Sequence, residues 1–204
     1  MKRRQDLPNY LRLNQKFDIE KLRKAFEDCK ENVAPRWDPI SIKCGGHVHL
    51  DTDTPTYQCY HLSKFVDNGY KQFGSTKYDE RNYSGLQDWV KGTYFEEVLS
   101  SFSDDPCRAR ILSMNPGGKL LPHIDYNTDY NVRIHIPINT NPWAMFGIRR
   151  KDSDVDIFNM PADGSCYFIN QGWEHSAWNL GKTPRDHIVI ALRSQKDIED
   201  ALSA

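Results

Sequence analysis

The feature that most limits the possible folds is a run of short strand-like segments over residues 108–193. Each segment is rich in β-branched or aromatic residues, and proline, glycine, asparagine or aspartate turns separate it from the next. The predicted strands are 109–114, 119–125, 131–138, 145–150, 155–159, 165–170, 175–179 and 186–193. Because no helical crossover lies between them, the pattern predicts an antiparallel sandwich or barrel of the jelly-roll kind.

The first half of the chain has a mixed pattern. Asp18 can cap a helix that runs to about Lys30. Thr93 and Glu96 have capping-box spacing, which predicts a second helix that ends near Ser103. Between the helices we expect strands at 40–51 and 56–62 and a long irregular loop at 67–85. Long loops often carry substrate contacts or act as lids, so this loop is a candidate part of the substrate site.

Length and charge limit the class of protein. A chain of 204 residues is long enough for one domain with a substantial core, and we expect a single domain over 1–204. In that domain 1–107 would flank the 108–193 core and shape the substrate site. A net charge of −1 gives no electrostatic reason to expect a nucleic acid or a membrane as partner. No apolar run of 18 or more residues is present, so no membrane span is expected.

Cysteine usage indicates the compartment. The five cysteines are scattered and form no CxxC pair: Cys29, Cys44, Cys59, Cys107 and Cys166. This argues against a disulfide framework and predicts free, buried or half-buried thiols in a reducing compartment. A signal peptide has an apolar stretch after its basic first residues, and no such stretch follows the basic residues here. We therefore expect a cytoplasmic protein.

Two predicted strands alternate apolar residues with polar ones. In 131–138, isoleucines alternate with Arg133 and His135. In the last strand, Arg185 and His187 lie opposite a face of aliphatic residues. The polar face is either solvated, as is usual in an antiparallel sheet, or lines a polar cavity. The alternation leaves both readings open.

A short motif offers metal ligands. His123 and Asp125 are two residues apart on a predicted strand, so their side chains point to the same side. With His175 on a later strand they make the two-histidine, one-carboxylate set of non-haem Fe(II) oxygenases. The HxD pattern is weak by itself, because it also occurs at His49 and Asp51. No histidine and arginine follow that second occurrence at the ends of barrel strands.

An arginine strengthens this interpretation. Arg185 lies ten residues after His175, at the start of the next strand. Its planar guanidinium can hold a carboxylate through two parallel charge-assisted hydrogen bonds. An arginine in isolation is more often part of a surface salt bridge. Beside a metal triad, it predicts a carboxylate site next to the ion.

Another group of potential ligands lies upstream: Cys44, His47, His49, Cys59 and His61. Its spacing matches no common zinc module. A strand surface or pocket rim is the favoured reading, with zinc binding as the alternative. The tryptophans that flank His175, Trp173 and Trp178, are interpreted as packing residues rather than pocket walls, and His187 as structural.

Several of these residues together resemble a known family: His123, Asp125, Arg133, His135, His175 and Arg185. They look like the Fe(II)/2-oxoglutarate dioxygenases of the aspartyl/asparaginyl β-hydroxylase group, which includes bacterial proline hydroxylases. The resemblance covers about 108–193 and nothing in 1–107. It implies a mainly β protein with a double-stranded β-helix (jelly-roll, cupin-like) core and a few flanking N-terminal α-helices.

The resemblance also implies a role for each side chain. His123, Asp125 and His175 would bind Fe(II), and Arg185 would bind the distal carboxylate of 2-oxoglutarate. Three further residues match positions that assist cosubstrate binding: Ser113, Arg133 and His135. The implied reaction uses O₂ and 2-oxoglutarate to hydroxylate an unactivated C–H bond and releases succinate and CO₂. The substrate would be an amino-acid side chain, free or in a polypeptide, with proline, aspartate or asparagine expected from the family.

One residue departs from part of the family. The animal aspartyl hydroxylases lack the carboxylate ligand, whereas Asp125 is present here, as in the proline hydroxylases. A carboxylate at this position also argues against a halogenase, which needs the site for halide. Two alternatives remain: a non-catalytic metal- or small-ligand-binding cupin-like module, and a cupin-type isomerase, which would not need Arg185.

Overall fold

The structure is a computed structural model that describes residues 1–36, 57–151 and 154–204. Its strands are β1 (Tyr10–Lys16), β2 (Tyr57–His61), β3 (Ser63–Lys64), β4 (Gly85–Leu86), β5 (Cys107–Met114), β6 (Lys119–His123), β7 (Val132–Asn139), β8 (Ala144–Arg149), β9 (Val155–Asn159), β10 (Ser165–Ile169), β11 (Glu174–Asn179) and β12 (Arg185–Leu192). Its α-helices are α1 (Ile19–Asn32), α2 (Tyr94–Leu99) and α3 (Lys196–Leu202).

Strands β5 to β12 form two antiparallel sheets. The larger sheet contains β10-β7-β12-β5 in that order, and the smaller contains β6-β11-β8-β9. Strand β1 extends the larger sheet beside β10, and β2 extends it beside β5. Strands β3 and β4 form a separate ribbon. The arrangement is the predicted double-stranded β-helix, or jelly-roll, in a mainly β chain with few helices.

The outer face of the larger sheet forms the main core. Ile188 pairs with Ile136, and Ile190 pairs with Ile134, so their side chains make one apolar surface. Helix α1 covers this surface with residues such as Phe26, which is buried in the same cluster. Fully burying one such side chain contributes about 1.5–3 kcal/mol. This apolar layer packs against the outer face of the larger sheet. The inner face of the sheet can therefore carry polar functional residues.

The polar residues of the same strands lie between the two sheets. Arg133, His135, Arg185 and His187 are all buried. The ring centroid of His135 lies 5.6 Å from that of Phe146 on the smaller sheet. The polar face that alternation left open is therefore not solvated in this fold, and it lines the space between the sheets.

The predicted first helix is confirmed. The Asp18 carboxylate accepts hydrogen bonds from the backbone N–H groups of Glu20 and Lys21, at 3.0 and 3.1 Å. These bonds satisfy two of the N–H groups that the first turn leaves without a helical partner. The helix then runs to Asn32, two residues beyond the predicted end at Lys30.

The predicted capping box of the second helix is wrong. Thr93 is the N-cap of α2, but its hydroxyl donates to the carbonyl of Val90 instead of capping the helix. The Glu96 carboxylate accepts from the N–H of Gly92. Both side chains, those of Thr93 and Glu96, bond to backbone groups of the turn before the helix. The spacing therefore identified where the helix starts but not its hydrogen bonds.

Helix α2 is also shorter than predicted, ending at Leu99 rather than near Ser103. Serine and aspartate follow, and their side chains compete with helical hydrogen bonding. The Ser103 N–H and hydroxyl both bond to the Asp197 carboxylate on α3, which directs the chain away from the helix axis.

Each predicted core strand is present, with ends that differ by at most two residues. The predicted strand 56–62 is β2, whereas the one predicted at 40–51 lies outside the described residues. The predicted loop 67–85 is irregular, with two short 3-10 turns at Thr76–Tyr78 and Glu80–Asn82, and β4 begins at its last residue. Strand β1 and helix α3 were not predicted.

Candidate metal centre

Neighbouring strands of the smaller sheet bring the three candidate ligands together. His123 on β6 and His175 on β11 are directly opposite in the antiparallel register. Asp125 follows β6, and its N–H bonds to the carbonyl of Gln171 at 3.0 Å. The ligand atoms of the three residues all lie within 4.8 Å of one another, and His123 Nε2 is 3.6 Å from Asp125 Oδ1. No other such group occurs among the described residues.

Both imidazoles are oriented by backbone carbonyls. His123 Nδ1 lies 2.7 Å from the carbonyl oxygen of Leu121, and His175 Nδ1 lies 3.0 Å from that of Trp173. With Nδ1 donating, Nε2 keeps its lone pair for a metal. His175 Nε2 is buried and has no hydrogen-bond partner within the described parts of the chain. A bound cation would supply that partner, so these residues fit an Fe(II) ion.

Burial and a neighbouring charge keep His175 and Asp125 in their metal-binding forms. Burial lowers the pKa of His175 to about 4, so its imidazole is neutral. Burial alone would raise the pKa of Asp125, but the charge of Arg133 outweighs this effect and holds the pKa below its ordinary value. Neutral imidazoles and an ionised carboxylate are the states that metal binding requires.

A buried ion-pair cluster lies behind Asp125. Arg133 Nε is 3.4 Å from Asp125 Oδ2, and Arg133 Nη2 is 2.7 Å from Glu80 Oε2. Glu80 also accepts from Arg108 Nη1 at 2.8 Å and from the side-chain amide of Asn131. Arg133 Nη1 is buried and has no partner among the described residues. Arg133 is thus anchored on one side and has a donor still available.

Glu80 is a residue that the sequence did not identify. It lies in the predicted loop 67–85, where no periodicity or motif marks it. The structure buries it completely. Burial alone would raise its pKa, but the charges of Arg133 and Arg108 hold the pKa below the ordinary glutamate value. The carboxylate is therefore ionised inside the protein.

A second cluster of polar groups lies on β7 and β12. The rings of His135 and His187 are 5.8 Å apart. Burial, and then the charge of Arg185, lower the pKa of both imidazoles well below 6.5. Both ring nitrogens of His187 lack a hydrogen-bond partner among the described residues. The same is true of Nδ1 of His135. Neutral imidazoles beside a guanidinium suit an anion that accepts hydrogen bonds.

Gln171 connects the two clusters. Its side-chain nitrogen is 2.9 Å from His135 Nε2, and its backbone carbonyl accepts the N–H of Asp125. An amide that donates to Nε2 leaves the His135 proton on Nδ1, the nitrogen without a partner. No motif in the sequence singles out this residue.

Ser113 is not brought to these clusters. Its hydroxyl donates to the Asp186 carboxylate, which also accepts from Asn139 at 2.9 Å. Ser113 pairs with Asp186, whereas the next residue, Met114, pairs with Arg185. Since side chains alternate along a strand, Ser113 and Arg185 lie on opposite faces of the sheet. We therefore leave Ser113 out of the cosubstrate site.

Trp173 anchors the turn before β11. The Arg4 guanidinium lies 4.4 Å from the centroid of its ring, and Trp173 Nε1 donates to the Arg4 carbonyl at 3.2 Å. Trp178 contacts Gly147, where an added Cβ would lie 3.2 Å from the indole. Both tryptophans make packing contacts, in agreement with the sequence interpretation.

The upstream histidine and cysteine group is only partly described. Cys59 and His61 both lie on β2, with Cys59 Sγ 3.7 Å from His61 Nε2. Cys44, His47 and His49 lie outside the described residues.

The described cysteines are free and buried, as predicted, and burial raises the pKa of Cys29, Cys107 and Cys166 to about 12. No described helix is long and apolar enough to cross a membrane.

Comparisons with known proteins address both fold and family. An oxidoreductase of the 2OG-Fe(II) oxygenase family from Burkholderia pseudomallei superposes with a TM-score of 0.52 at 15% identity, covering 91% of this chain and 85% of that one. A prolyl-4-hydroxylase from Pseudomonas putida gives a TM-score of 0.48 at 12% identity, covering 91% and 93%. At these identities the first structure supports the fold alone.

The family model described as Aspartyl/Asparaginyl beta-hydroxylase matches residues 51–194. The match begins well before 108, where the resemblance read from the sequence started, so part of the first half also carries the family pattern. It spans more than half of the chain and includes every residue of the metal centre and of the two polar clusters beside it. The chain therefore belongs to the aspartyl/asparaginyl β-hydroxylase family and is a hydroxylase.

Proposed function

We propose that the protein is an Fe(II)- and 2-oxoglutarate-dependent dioxygenase that hydroxylates an amino-acid side chain, free or within a polypeptide. His123, Asp125 and His175 would hold the iron, and Arg185 would hold the distal carboxylate of 2-oxoglutarate. The observation that carries the proposal is the geometry of the triad, with its ligand atoms within 4.8 Å and the buried His175 Nε2 without a partner.

The chain's own residues would bind and orient the cosubstrate. Arg185 offers a planar pair of donors for one carboxylate. The N–H donors of Arg133 Nη1 and His135 Nδ1 are buried and directed to no other described group, so they suit the carboxylate nearer the metal. When bound, Fe(II) supplies the oxidative chemistry by which O₂ converts 2-oxoglutarate to succinate and CO₂ and hydroxylates the substrate.

The smaller sheet shields the His175 side of the site from water. Phe146 on β8 stacks on the His175 ring with centroids 5.7 Å apart, and it is itself buried. Excluding water protects a reactive site from side reactions and strengthens its electrostatic interactions.

Proline, aspartate or asparagine are the expected substrate side chains by family resemblance. A single domain over 1–204 and a cytoplasmic location stay predictions.

The test is succinate formation from 2-oxoglutarate in air with Fe(II), alone and with a panel of amino acids and peptides. We expect turnover in the wild type and at least a 100-fold loss in His123→Ala and Asp125→Ala, because each removes a metal ligand. Asp129→Ala serves as the matched control, since Asp129 is an exposed carboxylate close in sequence. A gain of one oxygen atom in the substrate would identify the product by mass.

The outcomes separate the alternatives. Turnover that persists in Asp125→Ala would contradict the assigned triad. Binding of metal and 2-oxoglutarate without turnover on any panel member would favour the non-catalytic metal- or ligand-binding module. Turnover of a metal-loaded protein with no need for 2-oxoglutarate would favour the cupin-type isomerase.

A further inference from the structure

Glu80 is an acidic residue with an unusual position. It lies in a 3-10 turn, Glu80–Asn82, within an irregular loop, yet its side chain is completely buried. Burying an ionised carboxylate is costly unless it is paired and hydrogen-bonded. Glu80 meets this condition with two guanidinium groups, at 2.8 Å from Arg108 and 2.7 Å from Arg133. A surface loop thus contributes a charge to the interior.

This charge is one contact away from the metal centre. Arg133 bonds to Glu80 through Nη2 and lies 3.4 Å from the ligand Asp125 through Nε. Arg133 therefore sits between two carboxylates, of which only Asp125 belongs to the metal site. Glu80 has the shorter contact, so it is the stronger anchor of this guanidinium.

We propose that Glu80 is a positioning residue of the metal centre, which holds Arg133 so that Asp125 remains available to the ion. The inference rests on the proposed function, because it takes Asp125 as a ligand. It assigns the loop around Glu80 a role in metal affinity that its position in the sequence does not suggest.

The physical reason is charge balance. Among the described residues, Glu80 pairs with two guanidinium groups, those of Arg108 and Arg133, and Arg133 also contacts Asp125. Neutralising Glu80 removes a negative charge beside a site for a divalent cation. It also frees Arg133 to form a full ion pair with Asp125, and that pair competes with the metal for the carboxylate oxygens. Both effects weaken metal binding.

A purely structural role for Glu80 makes a different prediction. In that case its loss would loosen the turn without a specific effect on the ion. Asp79, the preceding residue, provides the matched control, since it is also completely buried and pairs with Arg81 at 2.6 Å. Asp79 bonds to Arg81 and Tyr130 and has no bond to Arg133. Substituting it perturbs the same turn but spares Arg133.

The experiment measures Co²⁺ affinity by titration calorimetry on the full chain, with Co²⁺ replacing the oxidisable Fe²⁺. The variants are Glu80→Gln and Asp79→Asn, and thermal unfolding without metal reports their stability. Glu80→Gln should raise the dissociation constant by about 10- to 100-fold, as is typical when a residue that orients a metal ligand is lost. Asp79→Asn should change it less than threefold, even if it lowers the unfolding temperature as much.

The possible results decide between these roles. An unchanged Co²⁺ affinity in Glu80→Gln, or an equal loss in Asp79→Asn, would overturn the positioning role. If Glu80→Gln does not fold, Glu80→Asp takes its place, since it keeps the charge but shortens the reach to Arg133. A weaker affinity in that variant than in Asp79→Asn supports the role, and an equal affinity overturns it. A wild type that binds no Co²⁺ would instead refute the proposed function.

Discussion

Arg185 illustrates how a single side chain can be prepared for an anion. It is buried, at the start of β12, beside two histidines whose pKa values its charge helps to lower. Neutral histidines add no further positive charge to the interior, and they can still donate hydrogen bonds. The distal carboxylate of a dicarboxylate entering this space would meet the charge of Arg185 and the neutral imidazole donors beside it.

Replacing Arg185 tests this arrangement. Arg185→Ala should weaken 2-oxoglutarate binding to the Co²⁺-loaded protein by about 10- to 100-fold, since a hydrogen bond to a charged group contributes about 1.5–3 kcal/mol. Arg185→Lys should recover only part of the affinity, because lysine keeps the charge but lacks the planar fork. Titration calorimetry measures both.

The matched control for this prediction is Arg149→Ala. Arg149 is half exposed and pairs with Glu174 on the smaller sheet. Exposed ion pairs contribute little, so its loss should leave cosubstrate affinity unchanged. Equal affinities in wild type and Arg185→Ala would remove Arg185 from the cosubstrate site.

At the scale of elements, local rules predicted the strands but not all their surroundings. The alternation in β7 and β12 and the turn residues between strands placed each core strand within two residues. Strand β1 was missed because its pairing with β10 joins residues 149 to 159 positions apart. Helix α3 was missed because its short, charged sequence has little apolar periodicity.

The site was predicted to a similar degree. His123, Asp125 and His175 were recognisable because a metal demands particular residue types at particular spacings. Glu80 and Gln171 were not, since any loop glutamate or turn glutamine has the same local pattern. Their contacts with Arg133 and His135 arise only when distant segments meet in the fold.

The N-cap of α1 offers a test at this scale. Asp18→Ala should reduce the free energy of unfolding by about 1 kcal/mol, because two backbone N–H groups at the helix start lose their acceptor. Asp28→Ala on the same helix is the control, since the Asp28 carboxylate forms an exposed pair with Lys24, and such pairs contribute little. Urea denaturation monitored by circular dichroism measures the difference. A smaller effect for Asp18→Ala than for Asp28→Ala would contradict the assigned cap.

At the scale of the whole molecule, the larger sheet is buried on both faces. Its outer face packs against the helices in an apolar core, and its inner face holds the ionisable residues. The histidines of that inner face make the stability of the metal-free protein sensitive to mild acid. The folded-state pKa of His187 is well below 6.5, whereas an unfolded histidine titrates near 6.5.

The sign of the effect follows from proton binding. Below about pH 6.5 the unfolded chain takes up a proton that the folded protein does not, so stability is lost as the pH falls. For one such histidine the loss between pH 7.5 and 5.5 is about 1.4 kcal/mol. Asp125 and Glu80 titrate below this range, since the pKa of each is held under its ordinary value.

His187→Leu should therefore flatten the pH dependence. Its free energy of unfolding should fall by about 1.4 kcal/mol less than that of the wild type between pH 7.5 and 5.5. Urea denaturation of the metal-free proteins at the two pH values measures both differences. Identical losses in the variant and the wild type would show that His187 is not held neutral by the fold.

The buried polar atoms without partners have a consequence for protein engineering. Both ring nitrogens of His187 lack a partner among the described residues, at an interior position where an aliphatic side chain would cost no desolvation. A screen for heat resistance alone would select such replacements, and the polar groups beside the proposed cosubstrate site would be lost one by one. Directed evolution of this protein toward robustness therefore needs turnover in every round of selection.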